Sequence, residues 1–294
     1  MDWKAIGLGV AFVAMWSSAF TSARIVVQDA PPFLALTVRF LISGGIALAI
    51  GAALRQRLPT GRAQWTSVLV FGLCQNALYL GLNFLAMRTL DASVAVIVAS
   101  LLPMIVAGLA WAALGERLAP LATAGLVAGF AGVLVIMTAR LGSGADPVAL
   151  ALCFAGVVAL SVATLLVRGA SGSGGLWIIV GLQMLVGAVL LLPVAFFFET
   201  WTVNWTPELI LAFVYTVLFP GLAATMIWFV LVGRIGATRA ATFHFLNPFF
   251  GVAVAALVLD EQVTLRDGLG VAIIMAGILA VQISRKPPEP LLPE

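Results

Sequence analysis

Leu102-Pro-Met-Ile-Val-Ala-Gly-Leu-Ala-Trp-Ala-Ala-Leu-Gly-Glu116 and Asn247-Pro-Phe-Phe-Gly-Val-Ala-Val-Ala-Ala-Leu-Val-Leu-Asp-Glu261 follow one pattern at a distance of 145 positions. Pro103 recurs as Pro248 and Glu116 as Glu261, and the same offset pairs Gly125 with Gly270 and Gly132 with Gly277. Alanine and leucine coincidences are cheap in an apolar chain. One Pro and one Glu that keep their separation in both copies, each followed by a glycine-bearing apolar run, are not, and they identify an internal duplication. Each copy holds an odd number of apolar runs, so the second must be built upside down relative to the first. Inverted repeats of this kind mark transporters.

Composition says what surrounds these copies. Of 294 residues, 63% are hydrophobic and 9% charged, whereas a soluble domain carries about a quarter of its residues as charges. Ten apolar runs, roughly 4–24, 33–54, 65–87, 92–115, 120–139, 147–167, 175–198, 206–232, 238–259 and 265–283, reach the about 20 residues that cross a hydrocarbon core. Runs this long and unbroken are helices; barrel strands are half the length and alternate. The expected fold class is therefore an all-α polytopic membrane protein of ten transmembrane helices. It divides into two inverted five-helix repeats, residues 1–140 and 147–284, followed by a proline-rich tail, 285–294, expected to be disordered.

Thr21-Ser22-Ala23 passes for a signal-peptide cleavage site, but Asp2 and Lys4 leave the preceding segment without net positive charge, so helix 1 is expected to stay. With the N-terminus inside, ten loop Lys and Arg fall on the cytoplasmic side (Lys4, Arg55, Arg57, Arg62, Arg117, Arg168, Arg234, Arg239, Arg285, Lys286) against four outside (Arg24, Arg88, Arg140, Arg266). That excess predicts cytoplasmic termini. The pI near 9.3 reflects these dispersed residues, and a nucleic-acid partner is not implied. Cys74 and Cys153 lie within helices at no metal-ligand spacing and read as free thiols; no cofactor or metal is expected. Two flexible stretches interrupt the pattern, the seam 140–147 and the Gly/Ser segment 169–175.

Polar and aromatic groups at membrane depth are the candidates for function. Gln75, Tyr79 and Asn83, spaced by four, form one helical stripe. Trp16 and Ser17, Ser100, Gln183, Trp228, Phe243, His244 and Asn247 complete the substrate-binding set, with Ser161, Thr164 and Thr225 nearby in the apolar runs. Such residues either line a weakly polar, aromatic cavity or glue helices together by hydrogen bonds, and for the Gln75–Tyr79–Asn83 stripe the cavity reading is preferred. Pro103 and Pro248 break their helices at equivalent places and are read as a cavity or hinge feature. His244, the sole histidine, is either a proton reporter or a satisfied hydrogen-bonding group. Arg39 is deep enough to reach a substrate carboxylate, yet the sequence favours snorkelling to the surface. Trp3, Trp65, Trp177, Trp201 and Trp205 lie near helix ends, where tryptophan anchors at the interface. Every Asp and Glu falls at a helix end or in a loop, so ion coupling lacks a buried carboxylate. Glu116 and Glu261 are expected to cap or pair the helix that follows each.

Taken together, the ten runs, the Leu102-Pro103 to Glu116 and Asn247-Pro248 to Glu261 stretches, Met15-Trp16-Ser17-Ser18 and the Pro32/Arg39 pair resemble the EamA-type drug/metabolite transporter superfamily over nearly the whole chain, with Ser17 standing where glycine is common. Within it the chain is similar to the YddG-type exporters of aromatic amino acids. That resemblance implies a carrier in the bacterial inner membrane that moves aromatic and other hydrophobic amino acids out of the cytoplasm by alternating access. The alternative is an exporter of hydrophobic drugs or other small metabolites. A carrier of phosphorylated sugars would want several cavity-facing Lys or Arg, a channel would want charge rings or carbonyl filters, and an intramembrane enzyme would want a nucleophile with a base; none of these is legible. Two complete halves in one chain favour a monomer.

Overall fold

The side chains on the outside of the bundle are more apolar than many on the inside. In the computed structural model, which describes residues 3–115, 119–142, 144–166, 175–235 and 243–284, Phe198 is 82% and Leu257 83% exposed, whereas Ser17 and Ser161 are 0% exposed. Lipid imposes this order: it accepts apolar side chains freely and leaves polar groups to find partners in the interior.

The described residues are helical in eleven unbroken stretches, the fourth and fifth of which together make α4. They are α1 (Trp3–Asp29), α2 (Pro32–Ala53), α3 (Arg62–Ala86), α4 (Ala92–Ala99 and Leu102–Leu114), α5 (Pro120–Gly142), α6 (Pro147–Leu166), α7 (Leu176–Phe198), α8 (Pro207–Thr216 continuing through Ala224–Ile235), α9 (Phe243–Leu246 and Asn247–Leu259) and α10 (Leu265–Ile283). Among the described residues, eight helices, α1 to α8, are long and apolar enough to cross a membrane, and Asn247–Leu259 is a shorter apolar helix. The expected ninth run starts at 238, in a stretch of which 238–242 lie outside the described residues, as do most of the Gly/Ser segment 169–175, the tail 285–294 and Glu116.

Regular helix fails at matched places. α3 opens into a π-helix over Gly72–Leu80, and α8 does so over Val217–Ala223. The second part of α4 starts at Leu102 and ends at Leu114, and that of α9 starts at Asn247 and ends at Leu259. Both end on a left-handed residue, Gly115 (φ 66°) and Asp260 (φ 53°). Each of these pairs stands 145 positions apart. Pro103 and Pro248 occupy the first turn of the restarted helices, where the missing N–H would have lacked a partner in any case. They therefore begin helices rather than kink them. Pro193 lies inside α7 and Pro220 inside the π stretch of α8.

The longest helix–helix interfaces pair α5 with α10 and α2 with α7. Glycine allows the first: a Cβ on Gly125 would lie 2.7 Å from the Gly277 carbonyl oxygen, and one on Gly132 would lie 2.9 Å from that of Gly270. Gly44 and Gly181 bring α2 and α7 together in the same manner. Around this frame α1 lies against α8 and α9, and α6 against α3 and α4.

Carboxylates close the helix starts, where free N–H groups and the helix dipole favour negative charge. Glu199 accepts from the Phe33 and Leu34 amides (2.9 and 2.8 Å) at the head of α2. Glu261 accepts from Ala92 and Ser93 (2.7 and 3.0 Å) at the head of α4. The expectation that Glu261 serves the helix following it is thus corrected: α10 is closed by its own Thr264–Asp267 capping pair, and Glu261 reaches across to a helix far away in sequence. Asp29 binds Asn204 and Thr206, fastening the end of α1 to the start of α8.

Candidate functional site

Two chambers open within the bundle, with about 670 and 760 Å³ of empty space, part of it open to the exterior. Trp16, Phe20 and Tyr79 line both and form a shared aromatic partition. The first chamber adds Arg39, Phe40, Gln75, Asn76, Asn83, Met184 and Thr225; the second adds Ser100, Pro103, Thr164, His244 and Asn247.

The polar edge of the first chamber comes from α3. Ideal helix spacing puts Gln75, Tyr79 and Asn83 on one stripe, and all three do line the chamber. The π stretch holds more residues per turn, which widens that face and brings in Asn76 as well. Asn76 donates through Nδ2 to the backbone carbonyl of Gln183 (2.8 Å). Asn83 Nδ2 donates to the Tyr79 carbonyl (2.7 Å), while its Oδ1 is buried without a partner.

In the second chamber the hydroxyls are largely committed. Ser100 donates to the Val96 carbonyl (2.7 Å) and Thr164 to that of Leu160 (2.8 Å). Ser17 donates to the Asn247 backbone oxygen (3.2 Å), and Asn247 Nδ2 meets His244 Nδ1 at 3.0 Å. This joins α1 to the turn at which α9 restarts. The His244 ring also sits edge-on to Phe12 (5.2 Å between centroids) and at 5.1 Å from Trp228, the environment of a held hydrogen-bonding group.

Several sequence candidates stand elsewhere. Ser17 is behind the wall, spent on Asn247. Gln183 contributes its carbonyl rather than its side chain. Trp228 packs on Phe12 (4.9 Å) and His244. Phe243 fills the space above Gly9, and Pro248 is buried off both chambers. Arg39 reverses its expectation: it is 6% exposed and lines the first chamber instead of snorkelling out. Trp177 likewise is no surface anchor but is buried with Ala47 and Leu222. Asn76 carries no signal in the sequence because its place depends on the π turn, which no residue pattern announces; the glycine at its start, Gly72, is the nearest sign. No Asp or Glu lines either chamber among the described residues, so the lining offers aromatic faces, amides and one guanidinium for noncovalent recognition.

The model of the EamA-like transporter family matches residues 3–138 and again 147–283. Among curated proteins, the chain is 28% identical over 276 residues to the uncharacterized transporter YvbV of Bacillus subtilis (strain 168), covering 93% of this chain and 90% of that protein. It is 31% identical over 135 residues to the aromatic amino acid exporter YddG of Ancylobacter novellus, covering 46% of each. A solved crystal structure superposes with a TM-score of 0.69 at 22% identity, covering 95% of this chain and 96% of that one, which is a likeness of fold.

Proposed function

Because the chain belongs to the EamA-like transporter family, a multi-pass membrane protein that moves a small molecule, we propose that it exports aromatic and other hydrophobic amino acids across a bacterial inner membrane by alternating access. The observation that carries this reading is the pair of chambers divided by Trp16, Phe20 and Tyr79. Aromatic faces stack on aromatic or long apolar side chains, and the amides beside them suit the polar head of an amino acid. The partial likeness to an aromatic amino acid exporter supports the same substrate class.

The proposed architecture is ten spans with both termini in the cytoplasm, arranged as two inverted halves, 1–140 and 147–284. Support comes from the two family matches and from the matched π stretches and helix restarts. The glycine contacts agree: Gly125 meets Gly277 as Gly132 meets Gly270, the reciprocity of a two-fold axis between α5 and α10. Rocking of the halves about that axis exposes the partition to each side in turn, with the breaks before Pro103 and Pro248 as hinges.

Purified protein in liposomes, given labelled phenylalanine, tryptophan or methionine without an ion gradient, tests the substrate. Saturable uptake that is lost in Tyr79→Ala/Asn83→Ala upholds it. Absence of uptake for all three overturns it and points to hydrophobic drugs.

A further inference from the structure

Arg39 occupies an unusual position for a cation. It projects from α2 into the first chamber, its guanidinium carbon 5.7 Å from the centre of the Phe40 ring. On the far side is the π stretch of α8, where a Cβ on Gly221 would lie 3.9 Å from its Nη2. Among the described residues no carboxylate lines this chamber, and no hydrogen bond ties Arg39 to the protein. A buried charge within a membrane bundle is expensive and is kept where it meets a counter-charge. The same chamber holds the opposite deficiency: Asn83 Oδ1, 1% exposed at the residue level, is an acceptor with no donor.

A fixed cationic fork, an unsatisfied acceptor and aromatic walls together complement a zwitterion with an apolar side chain. A guanidinium matches a carboxylate bidentately, an amide oxygen accepts from an ammonium, and Trp16, Phe20 and Phe40 receive the side chain. We propose that Arg39 anchors the substrate carboxylate and Asn83 Oδ1 receives its ammonium group, so that the carrier selects free amino acids over their amides and amines. This rests on the amino-acid reading above and adds the residues that enforce it.

The test is competition against labelled phenylalanine in proteoliposomes by phenylalanine, phenylalaninamide, phenethylamine and 3-phenylpropionate, for wild type, Arg39→Lys and Arg39→Gln, with thermal stability of each ligand-free protein measured alongside. In wild type, loss of the carboxylate weakens competition by about 100-fold or more, since a site built for a polar group rejects the analogue lacking it. Arg39→Gln weakens phenylalanine to the level of its amide, and Arg39→Lys, which keeps charge but not the fork, falls between. Ligand-free Arg39→Gln melts no lower than wild type, because an unpaired charge has gone; a merely structural arginine would lower it. An unchanged phenylalanine-to-amide ratio in Arg39→Gln, or a lower melting temperature, overturns the proposal. Failure of the amino-acid reading is distinct, since wild type then takes up neither phenylalanine nor its amide. In that event, thermal stabilisation by 3-phenylpropionate that vanishes in Arg39→Gln upholds the anchor, and its absence in wild type overturns it.

Discussion

Gly277→Ala and Gly268→Ala place the same methyl group on the same helix and should act in opposite directions. On Gly277 the new Cβ would stand 2.6 Å from the Gly125 carbonyl oxygen, 2.8 Å from the Gly129 nitrogen and 2.9 Å from the Met104 methyl carbon. The first two are backbone atoms and cannot rotate away. Restoring ordinary contact requires α5 and α10 to separate by about 0.8 Å, and overpacking of this kind costs about 1–3 kcal/mol. Alanine returns about 0.5–1 kcal/mol by narrowing the unfolded ensemble, leaving a net loss of about 1–2 kcal/mol. On Gly268 the added Cβ meets nothing within 4 Å, so only the gain remains. Cys153 is buried as a free thiol and Cys74 is half-buried, so in a Cys74→Ser background a thiol-reactive dye followed during heating in detergent reads the unfolding of each variant. Gly277→Ala should melt below wild type and Gly268→Ala at or above it. Equal shifts for the two, or a Gly277→Ala protein as stable as wild type, would refute the close backbone approach of α5 and α10.

Glu261→Gln keeps the size of the side chain but removes the charge from two amide bonds at the head of α4; a loss of about 1–2 kcal/mol is expected, read as a lower melting temperature and faster hydrogen exchange at Ala92 and Ser93. Asp260 holds a left-handed conformation at φ 53°, so Asp260→Gly should stabilise by about 0.5–1 kcal/mol, while the reciprocal Gly115→Ala at φ 66° should destabilise by a similar amount in the same melt. Single cysteines at Asn83 and Asn247 should change reactivity in opposite directions when phenylalanine is added to one side of the membrane; two unresponsive positions would rule out alternating access through the chambers. Uptake should persist without a proton or sodium gradient, since no described carboxylate lines either chamber, and a strict gradient requirement would contradict this.

Much of the bundle was legible because lipid makes apolar length a direct signal, and the Pro103/Pro248 offset reappears in where α4 and α9 restart. The stripe Gln75–Tyr79–Asn83 faces a chamber because spacing by four survives even a locally widened helix. What failed to show in the residues was set by neighbours distant in sequence. Arg39 lies at a depth from which its side chain can run outward or inward, and the chamber beside the π stretch of α8 draws it inward. Ser17 looks identical to a lining group until Asn247 is seen to occupy it, and Gln183 meets α3 through its backbone carbonyl, which no residue type announces. Trp177 stands near a helix start, as anchors do, but Ala47 and Leu222 cover it. Glu261 reads as a cap, yet which helix it caps depends on packing rather than on order along the chain.

The π stretch of α3 works as a dial set by residues per turn. In an α-helix each residue turns the next by about 100° and advances it by about 1.5 Å. The π turns of Gly72–Leu80 take up surplus chain, so deleting one residue there would restore regular helix with the two ends nearly unmoved, whereas relaxing the stretch to α-helix at unchanged length would rotate one end of α3 against the other by about a quarter of a turn or more. Asn83 and Gln75 would then face different neighbours although neither had been substituted. With every residue retained, the hydrogen-bonding pattern of one stretch thus decides which side chains of α3 face the chamber.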